Sequence, residues 1–303
     1  MAFWQLTVPT STETSDALTN FLWEQGALGV VEEETPGVPP RLRAFFAESK
    51  SSTGLLAAVA DYRASLRALG FRLAGDAEVA PLLDEAWASA WRQSFPPRLV
   101  GRRLRVLPPW LEGDGAEPAP GAAKPAGGVE ARVTVVIEPG RAFGTGHHGT
   151  TEGCLVLLEE ALAARPGAAV LDIGTGTGIL AIAALRLGAP SVLAIDLDPD
   201  AVAATRVNAE RNGCAGLTVR LAEPPEIDEA APIVVANLLT HSHLALATQY
   251  ARLVAPGGQL VLGGMLEDED DRVTAALAAA GFEPRARVAL EGWASLRLAA
   301  PAR

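Results

Sequence analysis

Residues 170–178 read Val170-Leu171-Asp172-Ile173-Gly174-Thr175-Gly176-Thr177-Gly178, and their reading decides the fold. The apolar run over 169–173 predicts a short buried strand, and residues 178–187 predict a helix that Gly188 stops. Between them lie three glycines on alternate positions. Strand, glycine turn and helix together make the context a nucleotide-type ligand needs. The glycines let the backbone approach closely, and the helix N-terminus offers free N–H groups. The dinucleotide fingerprint G-x-G-x-x-G fails here, because the position three after Gly176 is Ile179. Asp172, just before the first glycine, suits a cofactor with a cationic ammonium group better than a pyrophosphate.

Outward from this turn the alternation continues. Strands are predicted over 191–195, 217–221, 232–236 and 259–263, and helices over 199–212, 240–254 and 268–280. Residues 283–290 and 293–299, separated by Glu291 and Gly292, close the chain as a hairpin. The expected class is α/β, a seven-stranded Rossmann-like parallel sheet with helices on both faces and an antiparallel edge. Ligands of such sheets lie at the carboxyl ends of strands. Asp196 falls at one such end, about twenty residues beyond the glycines, where a carboxylate accepts both hydroxyls of a ribose. Asp198 reads as the N-cap of the helix that begins with Pro199. Asn237 lies at the end of the 232–236 strand, the fourth counted from 169–173, and can accept a hydrogen bond from an amine.

Upstream, residues 138–151 read EPGRAFGTGHHGTT. Glycines and hydroxyls dominate, and a helix is expected from about Glu152. The segment reads as a lid over the cofactor, with Phe143, Gly144, Thr145 and His147 facing ligand or substrate. Thr150 or Thr151 would cap the helix or touch the ligand. His147 and His148 read as hydrogen-bonding or surface residues rather than general bases. His241 and His243 stand two apart and share no helix face, so no metal site is expected.

The N-terminal part reads as β-α-β-β-α-β. Strands are expected over 3–8, 27–31, 41–47 and 71–79, with helices over 11–25 and 52–69. This order is that of the small α+β ferredoxin-like split motif. The aromatic-rich piece over 84–110 reads as a connector, and the Pro/Gly/Ala-rich 112–128 as a linker or surface loop. The expected domains are 1–83 for substrate recognition, 84–128 as connector and linker, and 129–303 for the cofactor.

The net charge of −11 argues against general attraction to nucleic-acid phosphates and suits a basic partner. The acid runs 32–34 and 267–271 read as solvated faces. No run approaches the roughly 18 apolar residues of a membrane span. The N-terminus lacks a secretory pattern, and two cysteines make no disulfide framework. The expectation is a cytoplasmic monomer.

At these residues the chain resembles the bacterial ribosomal protein L-eleven methyltransferase family (PrmA), within the class I methyltransferases. The carriers are WRQSFPPRLVGRRLRVLPPW, EPGRAFGTGHHGTT, VLDIGTGTGILAIAALRLGA, AIDLDPDAV with NAERNG, VVANLL and PGGQLVLGGM, in that order. The resemblance implies S-adenosyl-L-methionine as methyl donor. It implies lysine side-chain and N-terminal amines of a basic ribosomal protein as acceptors. It carries Thr151, Gly174, Asp196 and Asn237 onto cofactor-contacting positions. Asp172 and Gly176 join them from the reading of the turn, and Asn237 is also the catalytic candidate. Two positions depart from the family's lid, usually G-T-G-T-H-P-T-T: His147 replaces a threonine and Gly149 a proline. The rival readings are methylation of another protein or small molecule, a nicotinamide dehydrogenase, and a non-catalytic ribosome-binding module.

Overall fold

The computed structural model describes residues 2–11, 13–35, 38–73, 75–83, 95–112, 132–139, 144, 146 and 148–302. The chain divides into two compact units, Met1–Phe95 and Pro96–Arg303.

The first unit runs β1 (Ala2–Pro9), α1 (Ser15–Glu24), β2 (Gly29–Thr35), β3 (Val38–Ala47), α2 (Ser52–Ala68) and β4 (Glu78–Leu83). Its sheet has the order β2-β3-β1-β4, with every neighbouring pair antiparallel. Alternate residues of β1 and β3, including Leu6, Val8, Leu42, Ala44 and Phe46, join Leu18, Leu22, Leu55 and Val59 of the helices in one core. This is the period-2 pattern of a sheet with one face covered. Ser51 begins α2 by accepting the Gly54 N–H on its hydroxyl, a cap worth about 1 kcal/mol. The fourth strand lies later than the predicted 71–79. Phe71 and Leu73 reach the core from irregular chain, which makes their apolar run look like a strand. The strand that pairs with β1 carries Pro81, tolerated because β4 is at the sheet edge.

The second unit opens with β5 (Arg98–Val100), β6 (Leu104–Leu107) and β7 (Val133–Val136), a small sheet in the order β5-β6-β7. The predicted connector is therefore partly strand: residues 98–107 form a hairpin, and Val100, Leu104 and Val106 are buried in the main core. Trp87 and Trp91, read as part of that connector, lie outside the described residues.

There follow α3 (Gly149–Ala164), β8 (Val170–Ile173), α4 (Ile179–Arg186), β9 (Val192–Asp196), α5 (Pro199–Arg211), β10 (Leu217–Leu221) and β11 (Ala231–Asn237). The chain ends with α6 (Thr240–Leu253), β12 (Val254–Leu266), α7 (Asp270–Ala279), β13 (Glu283–Leu290) and β14 (Trp293–Ala299). The sheet order is β10-β9-β8-β11-β12-β14-β13. The first five strands are parallel, and β14 runs antiparallel to both its neighbours. Both faces are buried. Val170, Val235 and Val261 point into one core with Leu155 and Ile182. Their neighbours Leu171, Val234, Ala236, Leu260 and Leu262 point into the other, with Tyr250 and Leu253. Near-continuous apolar strands follow from that double burial. After β8 the chain winds outward to β9, whereas β11 pairs on the other side of β8. The sheet order thus reverses between β8 and β11, and a crevice opens beyond their carboxyl ends.

Candidate functional site

Three elements of the sequence reading meet at this crevice. The turn after β8 holds Gly174, Gly176 and Gly178 all at positive φ. At Gly174 the requirement is doubled: φ is +73°, and a Cβ would stand 2.5 Å from Leu238 Cδ2. The turn is tied down from α5. Thr205 Oγ1 donates to the Gly176 carbonyl at 2.9 Å, and Asn208 Nδ2 donates to the Thr177 carbonyl at 2.9 Å. Asp196, half-buried at the end of β9, accepts the Gly176 N–H on Oδ2 at 2.9 Å and the Asp198 N–H on Oδ1 at 3.0 Å. Asp198 caps α5 by accepting the Asp200 N–H at 2.8 Å, as its place before Pro199 predicts.

Asp172 points from β8 into the apolar face below the turn and is fully buried. Its Oδ2 accepts the Thr175 hydroxyl at 2.7 Å, while Oδ1 makes no hydrogen bond among the described residues. Burial, with the Asp196 charge adding to it, pushes its carboxyl up to about 7 against the pull of Thr175 and the Ala181 N–H. A buried acceptor left bare costs about 1–3 kcal/mol, and sites that pay this are candidates for ligand contact.

Asn237 ends β11 beside it, since Ala236 pairs with Ile173 across the two strands. Its Nδ2 donates to Thr150 Oγ1 at 3.2 Å and to Thr151 Oγ1 at 3.4 Å. Its Oδ1 is buried and has no hydrogen-bond partner among the described residues. Thr150 and Thr151 are themselves buried in the first turn of α3. That helix starts earlier than the expected Glu152, and neither threonine caps it. The cap is His148, whose Nδ1 accepts the Thr150 N–H at 3.4 Å and lies 2.9 Å from Thr150 Oγ1. Its ring meets Trp293 of the closing hairpin edge-on, with centroids 4.9 Å apart. Burial lowers the His148 pKa to about 4, so the ring stays neutral and keeps Nδ1 as acceptor.

Of the lid candidates, Gly144 is buried, and its carbonyl accepts the Thr177 hydroxyl at 2.5 Å. Phe143, Thr145 and His147 lie outside the described residues. The lid's root is held from α5. Asn208 accepts the Glu138 N–H on Oδ1 at 3.0 Å, and Asn212 both accepts from and donates to the Val136 backbone, at 2.9 and 2.7 Å. Asn208, Asn212 and Thr205 carry no role in the sequence reading. Their signal is an i, i+3/4, i+7 spacing of polar residues on the helix side that turns inward, with Thr205 and Asn208 fully buried. Among the described residues no cluster of three His, Cys, Asp or Glu side chains suits a metal ion. No helix among them is long and apolar enough to cross a membrane. The acid runs are largely paired: Glu33 meets Arg41 and Arg43, and Asp270 meets Arg287.

A parallel sheet with an inserted antiparallel strand at its edge, a glycine turn after β8, an acid closing β9 and an amide closing β11 together define a class I methyltransferase. The family model described as "Ribosomal protein L11 methyltransferase (PrmA)" matches residues 2–300, and the chain belongs to that family. It is 35% identical over 302 residues to the ribosomal protein L11 methyltransferase of Pseudomonas aeruginosa, covering 97% of each chain. It is 38% identical over 232 residues to the protein of that name from Symbiobacterium thermophilum, covering 76% of this chain and 71% of the relative. Among solved structures it resembles a ribosomal protein L11 methylase from Lactobacillus delbrueckii subsp. bulgaricus. The TM-score is 0.58 at 28% identity, over 68% of this chain and 100% of that one. The methyl donor of such an enzyme is S-adenosylmethionine.

Proposed function

We propose that this chain transfers methyl groups from S-adenosylmethionine to lysine side-chain and N-terminal amines of ribosomal protein L11. One observation carries the reading within its family. Two buried acceptors without a partner among the described residues, Asp172 Oδ1 and Asn237 Oδ1, lie at the carboxyl ends of the adjacent strands β8 and β11, next to the Gly174 turn. The residues fit the donor. Asp172 offers its bare oxygen to an ammonium group. Gly174 and Gly176 allow a close approach of the backbone. Asp196 keeps lone pairs for a ribose diol, and Thr151 and Asn237 border the methionine end. Phe143, Gly144, Thr145 and His147 belong to the lid in this proposal.

Bound S-adenosylmethionine supplies an electrophilic methyl group on sulfonium sulfur. The protein must bring a neutral amine to it, although a free lysine has a pKa of about 10.4. Asn237 Oδ1 accepts one amine N–H and turns the nitrogen lone pair toward the methyl. The Nδ2 bonds to Thr150 and Thr151 fix which end of the amide faces the crevice. The amine's proton passes to water, and positioning the two reactants supplies much of the rate. No side chain serves as covalent nucleophile. Burial pushes the nearby Cys154 thiol up, which keeps it protonated.

Residues 1–83 would grip the substrate as a ferredoxin-like domain, a reading supported by the β2-β3-β1-β4 order. The segment 84–128 would link it to a seven-stranded Rossmann-like transfer domain over 129–303, to whose core residues 98–107 of that segment already contribute. The net charge of −11 supports a basic protein partner rather than nucleic acid, met by a monomer in the cytoplasm.

Purified chain should label L11 from methyl-labelled S-adenosylmethionine, and with the unlabelled donor should raise the mass of L11 in steps of about 14 Da. Absence of label on L11, with label on another ribosomal protein, would overturn the substrate. For the cofactor, Asp196→Ala should weaken binding about 100-fold by titration calorimetry, the loss of two hydrogen bonds to a charged acceptor. Unchanged affinity would remove Asp196 from the site.

A further inference from the structure

One buried pair lies directly behind the crevice and has no part in the chemistry above. His243, on the inward side of α6, is fully buried, and so is Tyr250 two turns later on the same helix face. His243 Nε2 lies 2.8 Å from the Gly263 carbonyl, and Nδ1 lies 2.9 Å from the Tyr250 hydroxyl. A carbonyl can only accept, so Nε2 carries a proton. Burial lowers the His243 pKa to about 4, so the ring is neutral and Nδ1 is an acceptor. The Tyr250 hydroxyl therefore donates, and it selects the tautomer that holds Gly263.

Gly263 matters because of its neighbours. Its carbonyl also accepts the Leu238 N–H at 3.0 Å, which ties the residue after Asn237 to β12. The pairing of β12 with β14 slips between Leu262 and Met265, so Gly263 and Gly264 form a bulge at the crevice. A Cβ on either glycine would stand 3.1 Å from Asn237 Oδ1, and one on Gly264 would stand 2.3 Å from the Leu238 carbonyl. The two glycines are thus the wall against which Asn237 and Leu238 are set.

We propose that His243, locked by Tyr250, is a positioning residue for the methyl-acceptor site: it holds the Gly263 carbonyl, and with it the Gly263–Gly264 wall that fixes Asn237 Oδ1 and the Leu238 carbonyl. The inference rests on Asn237 being that acceptor site. In this reading Asp172 and Asp196 hold the donor's ammonium group and ribose, whereas Asn237 Oδ1 meets the acceptor amine, so the effect should fall on transfer more than on cofactor affinity.

The test is a set of substitutions in the full chain. His243→Gln keeps an amide N–H near the place of Nε2, whereas His243→Asn ends near Nδ1 and His243→Leu has no donor. Expected for His243→Leu and His243→Asn is a fall in kcat of about 100-fold, with S-adenosylmethionine Kd changed less than about threefold. His243→Gln should regain at least about tenfold of that loss. Tyr250→Phe, a smaller change that keeps the packing, should lower kcat about tenfold. A purely structural role would move the unfolding midpoint and would rank Leu with or above Gln. Independently of any substrate, the Leu238 amide should exchange its hydrogen at least about tenfold faster in His243→Leu than in the parent. Equal kcat in the Gln and Leu variants, or unchanged Leu238 exchange, overturns the inference. Parent protein that leaves L11 unlabelled counts against the substrate reading instead, and the exchange measurement still decides the role of His243.

Discussion

Asp172→Asn is expected to make the ligand-free chain more stable at pH 8 and at the same time to weaken its binding of S-adenosylmethionine about 100-fold. The carboxyl is fully buried beneath the glycine turn, and its folded pKa rises from 3.8 to about 7, chiefly by burial. A folded pKa above the unfolded one means that the folded state holds its proton more tightly. Above pH 7 the folded chain therefore carries an ionised group against its environment, at a cost of about 4 kcal/mol. The cost shrinks as pH falls through 7 and vanishes near the unfolded value of 3.8. Asparagine removes the charge but leaves an amide to be satisfied, so the net gain at pH 8 should be about 2 kcal/mol. The gap between variant and parent should close by pH 5.

His243 and His148 work in the opposite sense. Burial lowers both from 6.5 to about 4, so the stability they contribute is complete above 6.5 and is lost as pH falls toward 4. Both chains share those residues, and the difference between them isolates Asp172. Denaturant unfolding of the two proteins at pH 8 and pH 5 checks the prediction. A parent more stable than the variant at pH 8 would refute it. The physical content is a carboxylate kept under tension until a cation meets it. An ammonium group beside Oδ1 makes the ionised form the preferred one, and that relief is part of the binding energy. The same site loses stability and gains function by one arrangement.

What the sequence made readable follows from how local each signal is. The glycine turn, Asp196, Asp198 and Asn237 are written in strand ends and caps, where residue type and geometry are coupled within a few positions. Asp198 before Pro199 needs no tertiary information to act as a cap. The fold class followed for the same reason, from runs such as 170–173 and 232–236 whose neighbours point into two separate cores. Long-range pairings were not readable. Leu99 and Val106 sit in an apparent connector; the short β5–β6 hairpin there is completed as a sheet by the parallel partner β7 beyond the 112–128 segment. The strand at 78–83 was hidden by the better apolar run at Phe71 and Leu73, which fills the core without pairing. His148 looked like a loop residue because its capping role depends on its own Nδ1 rather than on the usual hydroxyl or carboxylate. His243 and Asn208 read as ordinary helix residues, since nothing local says that their partners are Gly263, Glu138 and Thr177.

Gly264→Ala should cost the most of any alanine substitution at the described glycines. At φ +86° an L side chain is strained wherever it points, and here the Cβ would come 2.3 Å from the Leu238 carbonyl oxygen and 2.8 Å from its carbon. Both are backbone atoms that no rotamer change can move. Either β12 moves away from β11 or Leu238 is pushed toward Gly174, where a Leu238 methyl already fills the space a Cβ would need. Each escape displaces Asn237, whose Oδ1 lies 3.1 Å from the same Cβ. Gly188→Ala is the matched control. It has φ +108° and nothing within 4 Å of its Cβ, so it carries the backbone strain without the collision. The control should lose about 1–2 kcal/mol of stability and keep its activity. Gly264→Ala should lose about 4 kcal/mol, and its folded fraction should transfer methyl groups at least about 100-fold more slowly. Unfolding curves and kcat, corrected for the folded fraction, separate the two contributions. If Gly264→Ala matched Gly188→Ala in both measurements, the wall beside Asn237 would be yielding, and the rigid acceptor site argued from it would have to be abandoned.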